Sequence, residues 1–256
     1  MRRHALAALA CGLLAACSPS MGGELGQLEA MASNCPQAGK PATFVAIDVS
    51  DTMRSADIAA SQLGVVHTMA EQTAVCSGHL RVSAFSSSAT ATSTLFDGEL
   101  APPGATEPAR LRRIPDLVDG AMQVVESKLQ DATIQLPGDG TDVVAQLGNA
   151  GEYLKQLGSD FVLEAVLVTD GVATAGTITN TPNFEVAAAA DLAGRVPVPD
   201  LSGSTVLFTG IGRTAGTPPP SSYVDALKRF YADACARTMA RSCLAVSDFA
   251  TPQGPS

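Results

Sequence analysis

The sequence predicts an α/β fold: a doubly wound, mostly parallel sheet with one antiparallel edge strand and helices on both faces. Strand-like segments alternate along the chain with segments of helical periodicity, the order that produces a parallel sheet covered on both faces. One connection breaks this order, since only the turn 86–88 separates strands predicted at 80–85 and 91–96. A parallel return needs a crossover of about a dozen residues or more, so these two strands must be antiparallel neighbours.

The predicted strands carry either a continuous apolar run or a two-residue alternation. Residues 44–47 are continuously apolar, as is the segment 162–168, which is typical of strands buried on both faces of a parallel sheet. Residues 80–85 alternate with a period of two and therefore predict a strand. In chain order the predicted strands are 44–47, 80–85, 91–96, 162–169, 205–211 and 244–246.

The predicted helices show apolar side chains three and four positions apart. Val143, Leu147 and Ala150 begin one such pattern, and the Ala-rich segment 184–192 also favours a helix. No internal repeat and no second domain is visible, so we expect one domain over 35–250 with a flexible, Pro/Gly-rich tail at 251–256. In chain order the predicted helices are 24–33, 56–75, 111–129, 143–157, 184–192 and 223–240.

Oxygen-bearing side chains follow the first buried strand, at the end where open α/β sheets place their ligands. Asp48, Ser50 and Thr52 stand at alternate positions. They offer one carboxylate and two hydroxyls, which are hard donors suited to Mg²⁺, Mn²⁺ or Ca²⁺. One loop cannot complete an octahedral site, so further ligands must come from elsewhere. Thr141, in a Gly-Asp-Gly-Thr-Asp segment, and Asp170, directly after a buried strand, are the candidates.

These five positions resemble the metal-ion-dependent adhesion site of von Willebrand factor type A domains. The usual first element of that site is Asp-x-Ser-x-Ser, so Thr52 keeps the hydroxyl and adds a methyl group. The resemblance implies a divalent cation and a partner protein that presents a carboxylate to it. It also implies the ligand set: Ser50, Thr52 and Thr141 coordinating directly, and Asp48 and Asp170 directly or through water.

The residues of this site also have interpretations that involve no metal ion. Thr141 is also a good helix N-cap, and Asp170-Gly171 is also a common turn dipeptide. A metal-free structural scaffold with a degenerate site is the main functional alternative, and Thr52 is the residue that favours it. Three further acids flank the site and are expected to be solvated loop residues: Asp51, Asp139 and Asp142.

Two enzyme-like motifs are incomplete. The loop 48–52 partly matches the phosphatase loop of haloacid dehalogenases, but Ser50 stands where that chemistry needs a second Asp as general acid. The loop 210–216 follows a predicted strand like a dinucleotide loop. The prolines at 218–220 follow at once, however, and leave no helix N-terminus for a pyrophosphate. We therefore expect no nucleotide and no enzyme activity, with a Mg-dependent phosphatase as the remaining enzyme alternative.

The N-terminus predicts export. Two arginines precede an apolar run over 5–16, which is too short for the roughly 20 residues that span a bilayer but typical of a secretory signal. The ending Leu-Ala-Ala-Cys resembles the lipobox of bacterial lipoproteins, in which Cys17 becomes the lipidated N-terminus. An ordinary signal peptide cut nearby is the alternative. We expect a signal peptide at 1–16, a tether at 17–34, and a domain anchored on the extracytoplasmic side of a bacterial membrane.

The net charge limits the possible partners, and the cysteine content predicts disulfides. A net charge of −9 argues against nucleic-acid binding and against attraction to anionic lipid. Beyond the predicted signal peptide and lipidation site, four cysteines remain, an even number expected to form disulfides in an exported protein. All four fall at the sheet edge opposite the proposed cation. Because of this topology, the predicted pairs are Cys35–Cys76 and Cys235–Cys243.

Overall fold

The computed structural model describes residues 23–252, so the predicted signal segment, Cys17 and residues 253–256 lie outside the described residues. Within this range, six strands form one sheet. They are β1 Lys40–Asp48, β2 His79–Phe85, β3 Thr92–Glu99, β4 Phe161–Val168, β5 Thr205–Thr209 and β6 Ser242–Val246. The sheet has the order β3-β2-β1-β4-β5-β6. Only β3 runs antiparallel to its neighbour.

Helices cover both faces of this sheet. They are α1 Glu24–Ala32, α2 Ala56–Val75, α3 Glu107–Leu111, α4 Ile114–Gln135, α5 Ala145–Leu157, α6 Val186–Ala193 and α7 Ser221–Ala236. Helices α1 to α4 pack on one face, and α5 to α7 pack on the other. The predicted fold class, a doubly wound, mostly parallel sheet with one antiparallel edge strand and helices on both faces, is therefore confirmed. None of the helices within residues 23–252 combines the length and apolarity needed to cross a membrane.

The continuous apolar run of β1 follows from its central place in the sheet. Phe44 and Ala46 join the core under α5 to α7, whereas Val45 and Ile47 join the core under α2 and α4. All four side chains are at most 2% exposed. Burying a large side chain of this kind contributes about 1.5–3 kcal/mol, so alternate residues of one strand stabilise both layers.

Several predicted boundaries were wrong, and proline and glycine explain two of them. The helix expected over 111–129 is two helices, because the chain turns after Leu111 and starts α4 with Pro115 in its first turn. The strand expected over 205–211 ends at Thr209, since Gly210 has a φ of 89°. Such a positive φ is outside the range of a strand.

Two helix ends also differ from the prediction. Helix α5 begins at Ala145 rather than at 143. Helix α7 ends at Ala236 rather than at 240, and the hydroxyl of Thr238 donates to the carbonyl of Cys235 at 2.7 Å beyond that end. Threonine side chains that bind nearby carbonyls compete with continued helix.

The two edges of the sheet hold different groups. The five parallel strands end at one edge, here called the carboxyl edge, and begin at the other, here called the amino edge. Both disulfides lie toward the amino edge, and they join Cys35 to Cys76 and Cys235 to Cys243. These are the two pairs that the topology predicts. Asp48 and the turn after β4 lie at the carboxyl edge.

Candidate metal centre

Loops from separate parts of the chain meet at the carboxyl edge, and backbone hydrogen bonds join them. The loop after β1 is tied to the loop before α5, because Asp51 N donates to Gly138 O at 2.9 Å. The loop before α5 is tied in turn to the loop after β4, since Thr174 N and Ala175 N both donate to Thr141 O at 3.1 Å. The three segments singled out by the sequence are therefore neighbours.

The loop after β5 closes the other side of the cluster. Ala215 N donates to Thr52 O at 2.7 Å, and Gly212 N donates to Asp170 O at 2.9 Å. These bonds use main-chain groups of the two residues and involve neither the Thr52 hydroxyl nor the Asp170 carboxylate. The backbone thus positions the edge while those side-chain oxygens stay available for other contacts.

Asp48 is the centre of the side-chain contacts. Its side chain is fully buried, with Oδ1 accepting from Ser50 N at 2.9 Å and Oδ2 accepting from Thr169 Oγ1 at 2.7 Å. The hydroxyls of Ser50 and Thr52 lie 3.3 Å apart. The side chains of the Asp-x-Ser-x-Thr loop therefore lie close together.

Asp170 brings a second carboxylate to the same edge, and one of its oxygens has no partner. Oδ1 accepts from Val172 N at 2.9 Å. Oδ2 is buried and accepts no hydrogen bond from any described residue. Leaving a buried carboxylate oxygen unsatisfied is costly, and such an atom in a native fold calls for an ion or another donor. The donor set here, carboxylates beside hydroxyls, fits a hard divalent cation.

Burial raises the pKa of both acids, and the charge of Asp48 adds to the rise at Asp170. For Asp48, burial raises the pKa, while hydrogen bonds from Thr169 and Ser50 oppose the rise. For Asp170, burial first and the charge of Asp48 second raise the pKa to about 7, although the Val172 N–H and the nearby Thr52 hydroxyl oppose the rise. The Thr52 hydroxyl thus favours the charged carboxylate, although no hydrogen bond from it reaches Oδ2.

No basic side chain among residues 23–252 forms an ion pair with Asp48 or Asp170. Two carboxylates that share a buried site cannot both ionise easily without a positive charge. A bound divalent cation would supply that charge and reverse the direction of both pKa shifts. In the same part of the chain, no group of three or more His, Cys, Asp or Glu side chains could hold a metal, so a cation at this edge would also need the hydroxyls as ligands.

The main chain of Thr141 is hydrogen-bonded to the loop after β4. It is 2% exposed, and its N–H donates to Thr174 Oγ1 at 3.1 Å. Its own hydroxyl makes no hydrogen bond within residues 23–252. The alternative that Thr141 caps a helix was wrong, because α5 starts at Ala145 and Ala145 N donates to Asp142 Oδ1 at 3.3 Å. The hydroxyl of Thr141 is therefore not committed to a cap.

The flanking acids are not alike. Asp51 and Asp139 are exposed, as expected of solvated loop acids, and Asp51 pairs with Arg54 at 3.0 Å. Asp142 differs from the expectation, since it is half-buried, and burial raises its pKa. A Cβ on Gly176 would meet its carboxylate at 2.5 Å, so the loop after β4 closes directly over Asp142.

Two residues that hold Asp48 in place were missed by the sequence-based prediction. The hydroxyl of Thr169 donates to Asp48 Oδ2 and accepts from Gly171 N at 3.0 Å, so it links both acid-bearing turns. Gln62, 3% exposed, donates from Nε2 to Asp48 O at 2.9 Å. The available signals were a hydroxyl directly before Asp170 and an amide side chain within the buried face of α2.

The Asp170-Gly171 turn is packed as well as tight. Gly171 has a φ of 79°, and a Cβ there would lie 2.9 Å from both Ile211 and Tyr231. The hydroxyl of Tyr231 donates to Gly171 O at 2.8 Å. Only glycine adopts this conformation without strain, and the buried tyrosine fixes the turn that carries the unpartnered carboxylate.

Comparisons with known proteins find only distant similarity. The chain matches no protein-family model and no curated protein sequence. An aerotolerance-related membrane protein from Bacteroides fragilis NCTC 9343 with multiple mutations to serines is 18% identical over 70% of this chain and 71% of that chain, with a TM-score of 0.36. The conserved hypothetical protein BatB from Bacteroides thetaiotaomicron is 11% identical over 80% of this chain and 90% of that chain, with a TM-score of 0.41.

A third similar structure is the pilus adhesin SpaC from Lactobacillus rhamnosus GG. It is 13% identical over 84% of this chain but only 30% of that chain, with a TM-score of 0.44. At these identities and TM-scores the similarities add nothing about function. The fold follows from the strand order, and the function must be inferred from the cluster at the carboxyl edge.

Proposed function

We propose that this protein is a binding module that captures a partner protein through a divalent cation at the carboxyl edge. Mg²⁺ is the expected ion, with Mn²⁺ or Ca²⁺ as substitutes. The observation that carries the proposal is the buried, unpartnered Oδ2 of Asp170 beside a second buried acid. The residues that would hold the ion are Asp48, Ser50, Thr52, Thr141 and Asp170.

The chemistry of these ligands suits capture of an anion. Hydroxyl ligands carry no charge, so they leave much of the cation's positive charge uncompensated. When bound, the cation would supply an open coordination position to a carboxylate of the partner. Asp48 and Thr169 hold the loop in place, and contact with the partner excludes water, which strengthens the electrostatic attraction. No step of this role requires a nucleophile or a general acid.

The proposal includes a lipid anchor at Cys17 on the extracytoplasmic side of a bacterial membrane. Two or more acyl chains, at about 0.8 kcal/mol for each buried CH₂, hold a protein stably on a bilayer. Cys35 lies at the amino edge, so the chain would enter the domain from the edge opposite the cluster. Residues 24–32 of the expected tether form helix α1 and pack on the core, so the chain before α1 would act as the tether and would leave the carboxyl edge facing away from the membrane. Labelling with a radioactive fatty acid, compared between wild type and Cys17→Ala, tests the anchor.

Calorimetric titration of the purified protein with Mg²⁺ tests the site. Asp48→Ala and Asp170→Ala should each weaken Mg²⁺ binding by more than about a hundredfold, because each removes a charged ligand. Asp139→Ala is the matched control, since that acid is exposed and lies in one of the same loops. It should bind Mg²⁺ like wild type, and all three variants should keep the wild-type circular dichroism spectrum.

Equal Mg²⁺ affinity in all four proteins would overturn the proposal and favour a metal-free scaffold. The enzyme alternative has a separate test, the turnover of a phosphate ester such as p-nitrophenyl phosphate in the presence of Mg²⁺. We expect none, because Ser50 occupies the position where that chemistry needs an acid. Turnover that disappears in Asp48→Asn would establish the enzyme instead.

A further inference from the structure

A cavity of about 350 Å³, here called the amino-edge cavity, opens at the amino edge of the sheet on the face that α1 and α2 cover. Early residues of four strands line it, namely Pro41 of β1, Glu164 of β4, Thr205 of β5 and Ser242 of β6. Its volume is near the lower end of the range for ligand pockets, so it suits a small molecule. It lies at the opposite edge of the sheet from the proposed cation site.

An acid stands on the inner face of β4, where the following residues of that face are apolar. Val166 and Val168 belong to the core under α1 to α4, and Glu164 lies on the same face because it is two residues before Val166. Within residues 23–252 its carboxylate accepts no hydrogen bond and forms no ion pair. Glu164 is half-buried, and burial raises its pKa. An unpartnered acid that lines a cavity is a candidate for binding a ligand.

Arg241 brings the opposite charge to the same cavity. Its charge opposes the rise in the pKa of Glu164, so the two groups are near enough to interact. They do not form an ion pair, and Arg241 pairs with no other acid within residues 23–252. The guanidinium instead donates to Thr205 Oγ1 at 3.4 Å, on the strand beside β4. Among the described residues, no other charged side chain lines the cavity.

We propose that the amino-edge cavity binds a free α-amino acid with an uncharged side chain. The ammonium group of the ligand lies against Glu164 and its carboxylate against Arg241, whose planar guanidinium suits a carboxylate. A zwitterion satisfies both charges at once, whereas Glu164 repels a simple anion and Arg241 repels a simple cation. Met31, Pro36 and Pro41 offer apolar surface to the side chain of the ligand. This inference does not depend on the proposed function, because the two sites lie at opposite edges of the sheet.

Binding of free amino acids to the purified protein tests the inference. Each standard L-amino acid is added in the presence of EDTA, and those that raise the melting temperature are titrated by calorimetry. EDTA removes any cation at the carboxyl edge, so the carboxylate of a ligand cannot bind there. We expect binding of amino acids with apolar side chains, such as leucine, methionine or proline. The N-acetyl and methyl-ester forms of the same amino acid should each bind at least about tenfold more weakly, because each loses one charged hydrogen bond.

Two variants assign each charge of the ligand to its residue. Glu164→Gln and Arg241→Gln should each weaken binding of the unmodified amino acid by at least about tenfold. The N-acetyl form has no ammonium group, so it should bind Glu164→Gln at least as tightly as wild type. The methyl ester should behave in the same way with Arg241→Gln. Asp160→Asn is the matched control, since Asp160 is an exposed acid at the amino edge that does not line the cavity, and it should bind like wild type.

The outcomes separate this site from the cation site. Failure of every amino acid to bind would overturn the cavity proposal, as would equal affinity in wild type, Glu164→Gln and Arg241→Gln. Binding that requires Mg²⁺ would also overturn it, because the carboxylate of the ligand would then lie on the cation at the carboxyl edge. Pro252 lines the cavity, so binding seen only in a variant that lacks residues 253–256 would mean that those residues fill it, against the proposal. Absence of Mg²⁺ binding would overturn the proposed function and leave the amino-acid site standing.

Discussion

The amino edge and the carboxyl edge of the sheet are held together in different ways. At the amino edge, disulfides tie the end of α2 to the segment before β1 and the end of α7 to β6. At the carboxyl edge, main-chain hydrogen bonds join the loops around two buried acids, one of which has an unpartnered oxygen. Covalent bonds fix the amino edge, whereas the carboxyl edge holds two buried acids whose ionisation opposes folding.

This difference explains how the fold tolerates its candidate site. Burying two carboxylates without a basic partner lowers the free energy of unfolding. Disulfides raise it by restricting the unfolded chain, in a way that depends on neither pH nor a cation. The amino edge therefore stabilises a domain whose carboxyl edge holds two buried acids, a cost that the proposed cation would reduce. If the carboxyl edge is the binding site, substitutions at the amino edge should change stability without changing binding.

The largest expected effect is the loss of the Cys35–Cys76 disulfide. Its sequence separation is 41 residues, which corresponds to a stabilisation of about 4 kcal/mol from the restricted unfolded chain. The separation for Cys235–Cys243 is 8 residues, which corresponds to about 2.5 kcal/mol. Double Cys→Ala variants of each pair, unfolded with urea in EDTA, should lose stability in that order.

The disulfide variants also test whether the two edges of the sheet act independently. Each should bind Mg²⁺ with wild-type affinity at a temperature where it is folded, because its substitutions lie across the sheet from the cluster. A variant that loses Mg²⁺ affinity along with its disulfide would show that the edges are coupled. A larger loss of stability from the Cys235–Cys243 pair would contradict the loop-length explanation.

A smaller effect is expected from pH in the absence of a cation. The pKa of Asp170 is raised from 3.8 to about 7 in the folded protein. Its contribution to stability is therefore present in full below pH 3.8 and is lost as the pH rises through about 7. In EDTA, the free energy of unfolding of wild type should fall between about pH 5 and pH 8. Asp170→Asn should reduce this fall by about 2 kcal/mol.

The difference between wild type and Asp170→Asn isolates this group from the others. Asp139→Asn, which changes an exposed acid, should follow the wild-type curve. Saturating Mg²⁺ should remove the fall in wild type but not in a variant that cannot bind it, because the cation displaces the proton. Parallel curves for wild type and Asp170→Asn in EDTA would contradict the raised pKa. Burial also raises the pKa of Asp48, Asp142 and Glu164 and lowers that of His79, so the difference between wild type and Asp170→Asn is needed to isolate Asp170.

The sequence predicted the fold well because its signals are local and physical. The run 44–47 is apolar on both faces because β1 lies at the centre of the sheet. The short turn at 86–88 leaves only an antiparallel arrangement for β3. Boundaries were predicted less well, since Pro115 allows a helix to begin where the apolar spacing appeared continuous. Spacing alone does not mark such a break.

The candidate site was predicted in part. Asp48 ends one buried parallel strand and Asp170 follows another, so their meeting at one edge follows from topology. The supporting contacts of Thr169 and Gln62 could not be predicted, because they depend on side-chain directions across neighbouring elements.

The smallest expected effect concerns the hydroxyl of Thr169, which links the two acid-bearing turns. Thr169→Val keeps the shape but removes the donor to Asp48 Oδ2 at 2.7 Å and the acceptor for Gly171 N at 3.0 Å. Residues that orient metal ligands typically contribute about 10–100-fold to affinity. Mg²⁺ affinity of this variant should fall by about that factor in calorimetry, and Thr169→Ser should restore it.

Thr43→Val is the control that separates positioning from stability. Thr43 is also a buried threonine, on β1, and its hydroxyl accepts from Thr73 Oγ1 at 2.6 Å away from the cluster. Both valine variants should lose about 1 kcal/mol of unfolding free energy, the net value of a buried hydrogen bond. Only Thr169→Val should lose Mg²⁺ affinity, because only its hydroxyl orients Asp48. Equal Mg²⁺ affinity in the two variants would mean that the backbone alone positions the acids, and Thr169 would then act only in folding.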